Sequence, residues 1–316
     1  MKFSCTDAQR HCAAGLRDLL DNECPPSLVR HTWENGSGHS PELWAKLGEM
    51  GVLGLLVSEE HGGMGGNLVD AVLLFQELGR AAVPGPVLEH MAVAAPLLAS
   101  THPGVVDGST IATIAIDSSP YVAHAHVADV IVTRDGARSD FANTDVDGID
   151  GGRRIATVTG GNVTSLDVPV DRAFDAMAVA TSAYMIGLGE RMIDVAADYA
   201  RQREQFGKPI GSFQAVKHLM SDALLKVEFA KAPTYRAAWS LANDQPSAPR
   251  DVSMAKALAS EAAYRASRGS MQVHGGIGYT WEADLQLFMK KAWALSRAYG
   301  DSTWHRRRVS AAVLAS

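Results

Sequence analysis

Apolar positions recur at helical spacing over most of the chain, and at strand spacing over one stretch only. Leu68, Val72, Phe75 and Leu78 step by threes and fours and predict an amphipathic helix. An earlier helix is predicted from Ser40, a good N-cap, with Pro41 at the first helical position. The glycine turn "SEEHGGMGG" separates the two, and "VPGP" (83–86) punctuates before "VLEHMAVAAPLLAS" resumes. The texture changes at residue 109. "STIATIAID", "VADVIVTRDG" and "RRIATVTGGNVTSLDV" are short β-branched runs bounded by Asp, Gly and Ser, which predict strands and turns. From residue 171 the helical period returns. Phe174, Met177, Thr181, Met185, Leu188, Met192, Val195 and Tyr199 trace one stripe of a long helix. Its small residues, Ala183, Gly187 and Ala196, leave room for a close neighbour. Phe213, Val216, Met220, Leu224 and Val227 trace a second stripe, in a helix that Pro233 is expected to kink or shorten. "DVSMAKALASEAAYRASRGSMQV" predicts a third, and two more flank Gly300. Long helices with short connections imply a bundle. The chain therefore divides into an N-terminal helical domain (1–108), a small β-domain (109–170) and a C-terminal helical bundle (171–316), a mainly α fold.

Composition narrows the function classes. The 316 residues are 47% hydrophobic and 20% charged, with a net charge of -6. That is globular composition, and the acidic balance argues against nucleic acid and anionic membrane surfaces as partners. No apolar run approaches the roughly 18 residues of a membrane span, and the first residues lack the apolar core of a signal peptide. Cys5, Cys12 and Cys24 fit no zinc spacing, and their odd number does not suggest a disulfide framework. A reduced, cytoplasmic setting is expected.

Chemistry is concentrated in a few segments. "HGGIG" (274–278) could cradle a phosphate through backbone N–H groups, although it follows a helix rather than a strand and serves equally as a helix end. "HGGMGG" (61–66) lacks the Lys-Ser/Thr of a phosphate loop. "RQREQFGKPIG" (201–211) sets Arg203 and Phe206 beside a Gly-Lys-Pro break, offering a guanidinium fork and a stacking face or, more plainly, a solvated helix end. His124 and His126 are expected to be exposed rather than metal-bound. "HRRR" (305–308) is expected to meet solvent or acidic neighbours. Asp301 fits the N-cap of a helix from Ser302.

Taken in order, three segments resemble the acyl-CoA dehydrogenase family. They are "WAKLGEMGVLGLLVSEEHGGMGG…FQELGR", "YARQREQFGKPIGSFQAVKHLMSD" and "QVHGGIGYTWE". The resemblance implies an N-terminal helical domain, a middle β-domain and a C-terminal four-helix bundle that drives assembly. It also implies FAD-dependent α,β-dehydrogenation of an acyl-CoA thioester, with electrons passed to an electron-transfer flavoprotein. Arg203, Gln205 and Phe206 match the stretch that meets the diphosphate and adenosine half of the flavin. Gln214 opens the matching next helix, and Gln272, Gly275 and Gly276 match the other half of that site. In the family these groups serve a flavin held mainly by the neighbouring subunit.

The departures matter as much. Asp117-Ser118-Ser119-Pro120 stands where the family carries a Thr-Glu-Pro-x-x-Gly-Ser-Asp stretch over the flavin ring. The family's Trp-Ile-Thr stretch has no counterpart, and the β segment is short. The position of the family's catalytic Glu, aligned on Tyr299, is Gly300. The alternative position falls near Met177. Neither accepts a proton, and Asp301 is one place off. The pattern resembles the shortened subunit of α2β2 acyl-CoA dehydrogenases, several of which act on CoA esters of steroid side chains. Such a chain is expected to complete the FAD site of a full-length partner that supplies the base. Two alternatives are a self-sufficient homotetramer using Asp301 and a purely structural subunit.

Overall fold

The computed structural model describes residues 5–314. The N-terminal part is helical: α1 (Asp7–Glu23), α2 (Pro26–Glu34), α3 (Pro41–Glu49), α4 (Leu68–Arg80), and the broken rod α5 (Val87–Glu89) to α6 (Ala95–Leu98). Ser40 caps α3, its Oγ accepting from the Leu43 N–H at 3.3 Å, and Leu68, Val72, Phe75 and Leu78 of α4 are all buried. Between α5 and α6, residues His90–Ala94 widen into a π turn just ahead of Pro96, which has no N–H to donate.

Two small sheets follow. The first has strand order β1 (Ala112–Ala115), β3 (Val130–Thr133), β4 (Gly136–Ser139), β7 (Asn162–Thr164), with β1 and β3 parallel and the other pairs antiparallel. The second has order β2 (Val122–Ala123), β6 (Ile155–Thr159), β5 (Ala142–Val146), all antiparallel.

The last part holds α7 (Val170–Gln202), α8 (Gln214–Ala242), α9 (Ala248–His274), α10 (Leu285–Arg297) and α11 (Ser302–Leu314). The single stripe predicted for α7 proves too narrow. From Asp175 to Gly189 every residue is buried, because the first half of this helix is the axis of the molecule. Contact with α4 is made backbone to backbone. A Cβ on Gly187 would lie 1.9 Å from the Gln76 carbonyl oxygen, and one on Gly79 would lie 2.0 Å from that of Tyr184.

Two features of α8 bear on its expectations: it is not shortened at Pro233, and its buried line differs from the predicted stripe. The helix runs unbroken through Pro233; Thr234 Oγ1 donates to the Ala230 carbonyl at 2.9 Å in the turn where the ring removes a backbone donor. Its buried line is Ala223, Val227, Ala230, Thr234 and Ala237, while Leu224 faces outward at 43% exposure. Small residues face α7 and α9, so close helix approach rather than side-chain size sets the buried side. No helix among the described residues is long and apolar enough to cross a membrane.

Candidate functional site

Two regions carry the predicted chemistry, one on the surface and one at the junction of all three parts. At the surface, α7 ends at Gln202 and the chain forms a two-residue hairpin, β8 (Glu204–Gln205) with β9 (Lys208–Pro209). Phe206 and Gly207 form its turn at φ of 54° and 75°. Such a turn needs positive φ at both central residues, which Gly supplies freely and Phe does not. The strained Phe206 is nonetheless 91% exposed. Backbone strain at an exposed aromatic residue points to a contact outside this chain.

The second predicted segment lies beside this hairpin. Tyr199, one turn before Arg203, stacks on His274 with ring centroids 4.5 Å apart. Val273 packs with Ala196 and Ala200 of α7 and with Ile210 beyond the hairpin. Arg203, Gln205, Phe206, Gln214, Gln272, Gly275 and Gly276 are therefore all exposed around one joint between α7, α8 and α9. Arg203 makes no ion pair among the described residues. A Cβ on Gly275 or Gly276 would meet nothing within 4 Å, so the space beside this backbone is open, while the Gly275 N–H itself donates to the Met271 carbonyl.

The second region lies under the α10–α11 connection. Tyr299 (φ 53°) and Gly300 (φ 86°) are consecutive left-handed residues. Their carbonyls are captured from inside: His305 Nε2 lies 2.9 Å from the Tyr299 oxygen, and Lys256 Nζ donates to the Gly300 oxygen at 3.0 Å. Lys256 also donates to the Leu295 carbonyl at 3.2 Å and is fully buried, with no carboxylate among the described residues within ion-pair distance. Burial pushes its ammonium down to about 7. The Tyr299 hydroxyl donates to Glu89 Oε1 at 2.9 Å, and Arg153 reaches the same oxygen at 3.0 Å. Burial, and next the Glu89 charge, raises the Tyr299 phenol well above its usual range. Beside them Lys291 lies 3.4 Å from Asp150. These charges fill the junction. The space left between Glu89, Arg153, His124 and Lys291 is about 10 Å³, room for one small molecule the size of water.

Neither position at which the resemblance expects a base carries one. Gly300 has no side chain, and Met177 is fully buried in α7. Asp301 caps α11, its Oδ1 accepting from the Trp304 N–H at 2.8 Å, with Arg297 at 3.2 Å from its other oxygen. The Trp304 N–H, then Arg297, hold this carboxylate below its usual range.

Two smaller expectations are corrected. His124 is buried at 2% exposure and His126 is half-buried, because the turn after β2 folds inward: His126 Nε2 lies 2.7 Å from the Ser37 carbonyl oxygen, and His124 sits beside Glu89, Arg153 and Lys291. No group of three or more His, Cys, Asp or Glu suited to a metal ion occurs among the described residues. In the basic run, Arg306 pairs with Glu261 and Arg308 with Asp175, as expected, but His305 is fully buried. Glu89, Arg153 and Lys256 gave no signal in the sequence; an isolated charge within an apolar run, as in "PVLEHMAV", was the available hint.

Comparison with known proteins gives this geometry its context. Residues 6–102 match the family model "Acyl-CoA dehydrogenase, N-terminal domain" and residues 168–314 match "Acyl-CoA dehydrogenase, C-terminal domain". Over 306 residues the chain is 34% identical to "Acyl-CoA dehydrogenase IpdE2" of Mycolicibacterium smegmatis, covering 93% of this chain and 95% of that protein. The chain belongs to the acyl-CoA dehydrogenase family. Among solved structures, the ChsE4-ChsE5 complex from Mycobacterium tuberculosis is similar with a TM-score of 0.88, 26% identity and full coverage of both chains. Butyryl-CoA dehydrogenase from Megasphaera elsdenii shares the fold at a TM-score of 0.87 and 19% identity, over 99% of this chain and 100% of that one. Members of this oxidoreductase family are FAD-dependent, and the mostly helical build with a small middle sheet domain is the acyl-CoA dehydrogenase fold.

Proposed function

We propose that this chain is a subunit of a heteromeric acyl-CoA dehydrogenase and that it completes the FAD site of a homologous, full-length partner. The observation that carries this reading is an asymmetry. The outward-facing groups Arg203, Phe206, Gln272, Gly275 and Gly276 are exposed, and Arg203 has no ion-pair partner among the described residues, whereas the interior junction is closed by Glu89, Arg153 and Tyr299. The outward set fits an anionic dinucleotide presented from outside. Arg203 would meet the diphosphate, with a two-pronged guanidinium suited to phosphate oxygens. Phe206 would offer a stacking face. The absence of side chains at Gly275 and Gly276 would let the cofactor approach the backbone closely.

When bound, FAD would accept hydride from the β-carbon of the acyl-CoA thioester. This chain's part is to hold the cofactor rigid, since proton and hydride must leave neighbouring carbons in a fixed geometry. The base that removes the α-proton would come from the partner. Electrons would then leave for an electron-transfer flavoprotein. A CoA ester of a steroid side chain is the favoured substrate; Tcur3481-Tcur3483, a steroid acyl-CoA dehydrogenase, shares the fold, and the M. tuberculosis neighbour is the ChsE4-ChsE5 complex. Use of Asp301 as a base is disfavoured, because its carboxylate is already engaged by the Trp304 N–H and Arg297.

The test is a flavin count. This chain and its genomic neighbour are co-expressed and each is also expressed alone. The expected result is about one flavin per heterodimer, none in the lone chain, and loss of flavin from the complex with Arg203→Ala. Stoichiometric flavin in the lone chain would sink the reading.

A further inference from the structure

A groove of about 650 Å³ runs along α3 where the N-terminal helices meet the middle part. That is ample for a small organic molecule, since ligand pockets run to roughly 300–1,000 Å³. The strands β1 and β3 are parallel, and Ile111 and Val127, which line the groove, precede them. Ile116, Asp117 and Arg134 follow the same strands and border the space beside Gly300. The groove therefore lies at the opposite end of the β1–β3 pair from that space. It extends from His39, just ahead of α3, to Glu49 in the last turn. The 9 residues of α3 rise roughly 14 Å between them.

The two ends differ in chemistry. At one, Glu49 follows Gly48, and Asp107 lies against that glycine: a Cβ on Gly48 would stand 2.1 Å from the Asp107 carbonyl oxygen. Two carboxylates thus border this end. The Ser109 N–H donates to Asp107 Oδ1 at 2.9 Å and holds this acid below its usual range, so it is ionised. No Lys or Arg among the described residues lines the groove. Lys46, the cation of α3, turns to Glu23 at 2.5 Å. At the other end His39 is 7% exposed, its ring edge-on to Trp44. Neither ring nitrogen has a hydrogen-bond partner among the described residues. Nδ1 is enclosed against Gly85, where a Cβ would lie 2.7 Å from it, which leaves Nε2 to the groove. Burial pushes this imidazole down to about 4, so it is neutral. Between the ends Pro41, Ala45, Ile111 and Val127 present partly exposed apolar surface.

We propose that this groove is a binding site for an elongated organic cation of the amino-alcohol class, with an ammonium at one end, an apolar body and a hydroxyl at the other. The ammonium lies between Glu49 and Asp107, where its donors meet ionised oxygens and no competing cation. The body covers Pro41, Ala45, Ile111 and Val127. The hydroxyl meets His39 Nε2. A neutral imidazole nitrogen donates or accepts according to its tautomer, and a hydroxyl does both, so the pair is satisfied either way. A polar atom left unpartnered inside a protein is costly, and this ligand removes that cost. An anion of the same shape is excluded by the two carboxylates.

The inference is tested by isothermal titration of the full chain with 8-amino-1-octanol, with circular dichroism to verify the fold of each variant. One saturable site per chain is expected. 1,8-Octanediol, which lacks the charge, should bind about tenfold more weakly, and n-octylamine, which lacks the hydroxyl, about fivefold more weakly. Glu49→Gln should weaken the amino alcohol about tenfold. Ala45→Phe, on the exposed side of α3, should fill the groove and abolish binding. Glu60→Gln, at an exposed acid outside the groove, should change nothing. A wild-type titration without saturation, or equal binding by Ala45→Phe, would overturn the site. Equal binding of the diol would overturn the cation, and equal binding of the plain amine would overturn the part given to His39.

Discussion

Tyr299 reaches back across the molecule to place its hydroxyl 2.9 Å from a carboxylate oxygen of Glu89, which also receives Arg153 at 3.0 Å. One oxygen thus joins the N-terminal helices, the middle part and the bundle. Replacement of Tyr299 by Phe removes the phenol but leaves the ring. A buried acceptor then loses one of two donors, and stability is expected to fall by about 1–3 kcal/mol. A urea titration of the purified chain checks this; an unchanged midpoint would show that the tie contributes nothing.

Gly300 cannot simply be given back an acid. A Cβ there would lie 2.7 Å from His305 Nε2 and 2.8 Å from Trp304 Cε3, at a φ of 86° that disfavours any side chain. Gly300→Glu is therefore expected to lower the melting temperature and to give no dehydrogenase activity in the lone chain. Restored turnover in that variant would show that the loop can open.

Asp301 separates capping from catalysis. Asn caps a helix about as well as Asp, whereas Ala costs about 1 kcal/mol. Asp301→Asn should keep both the melting temperature and the activity of the assembled enzyme, and Asp301→Ala should lose stability only. A loss of turnover by orders of magnitude in the Asn variant, with its stability intact, would assign the base to this carboxylate.

Buried histidines make the chain acid-sensitive. Burial pushes His39, His90 and His305 each down to about 4, from the 6.5 expected once the chain unfolds. Between these values the unfolded chain binds protons that the folded chain refuses. The stability they allow is complete above about pH 6.5 and is lost as pH falls toward 4. His39→Gln should flatten the fall in urea midpoint between pH 6.5 and 5, since His39 Nδ1 is buried without a partner and little is lost with it.

Lys256 acts in the alkaline range with the same slope. Its folded value of about 7 lies below the unfolded 10.5, so between them the unfolded chain again holds the extra proton, and this group's contribution rises with pH. The urea midpoint of the wild-type chain should gain on that of Lys256→Met between pH 7 and 9.5. Parallel pH profiles would place the ammonium in solvent.

Much of this architecture could be read from spacing alone. The stripe of α4, the Ser40 cap, the Asp301 cap and the runs behind β1, β3 and β6 each carry a local physical signature. What escaped was set by the surroundings. The strand β5, "ANTDV", is exposed along nearly its whole length and shows no apolar alternation. The first half of α7 is surrounded by helices, which erases the contrast that a stripe needs. Arg203 and Phe206 stood out beside the Gly-Lys-Pro break, but the exposure of the ring was not legible, since an exposed Phe in a left-handed turn looks in sequence like any buried one. The Glu89, Arg153 and Tyr299 cluster joins positions up to 210 residues apart, beyond the reach of any periodicity.

The glycine contact between α4 and α7 bears on how this protein can be handled. Gly79 and Gly187 leave each helix no slack against the other's backbone, so α4 and α7 behave as one piece although the α5–α6 rod and both small sheets lie between Arg80 and Val170 in the order of synthesis. The N-terminal helices and the bundle cannot be expressed as independent fragments without baring the axis of the molecule. A chain cut after α6 should precipitate, while one nicked within the exposed β5 region should hold together.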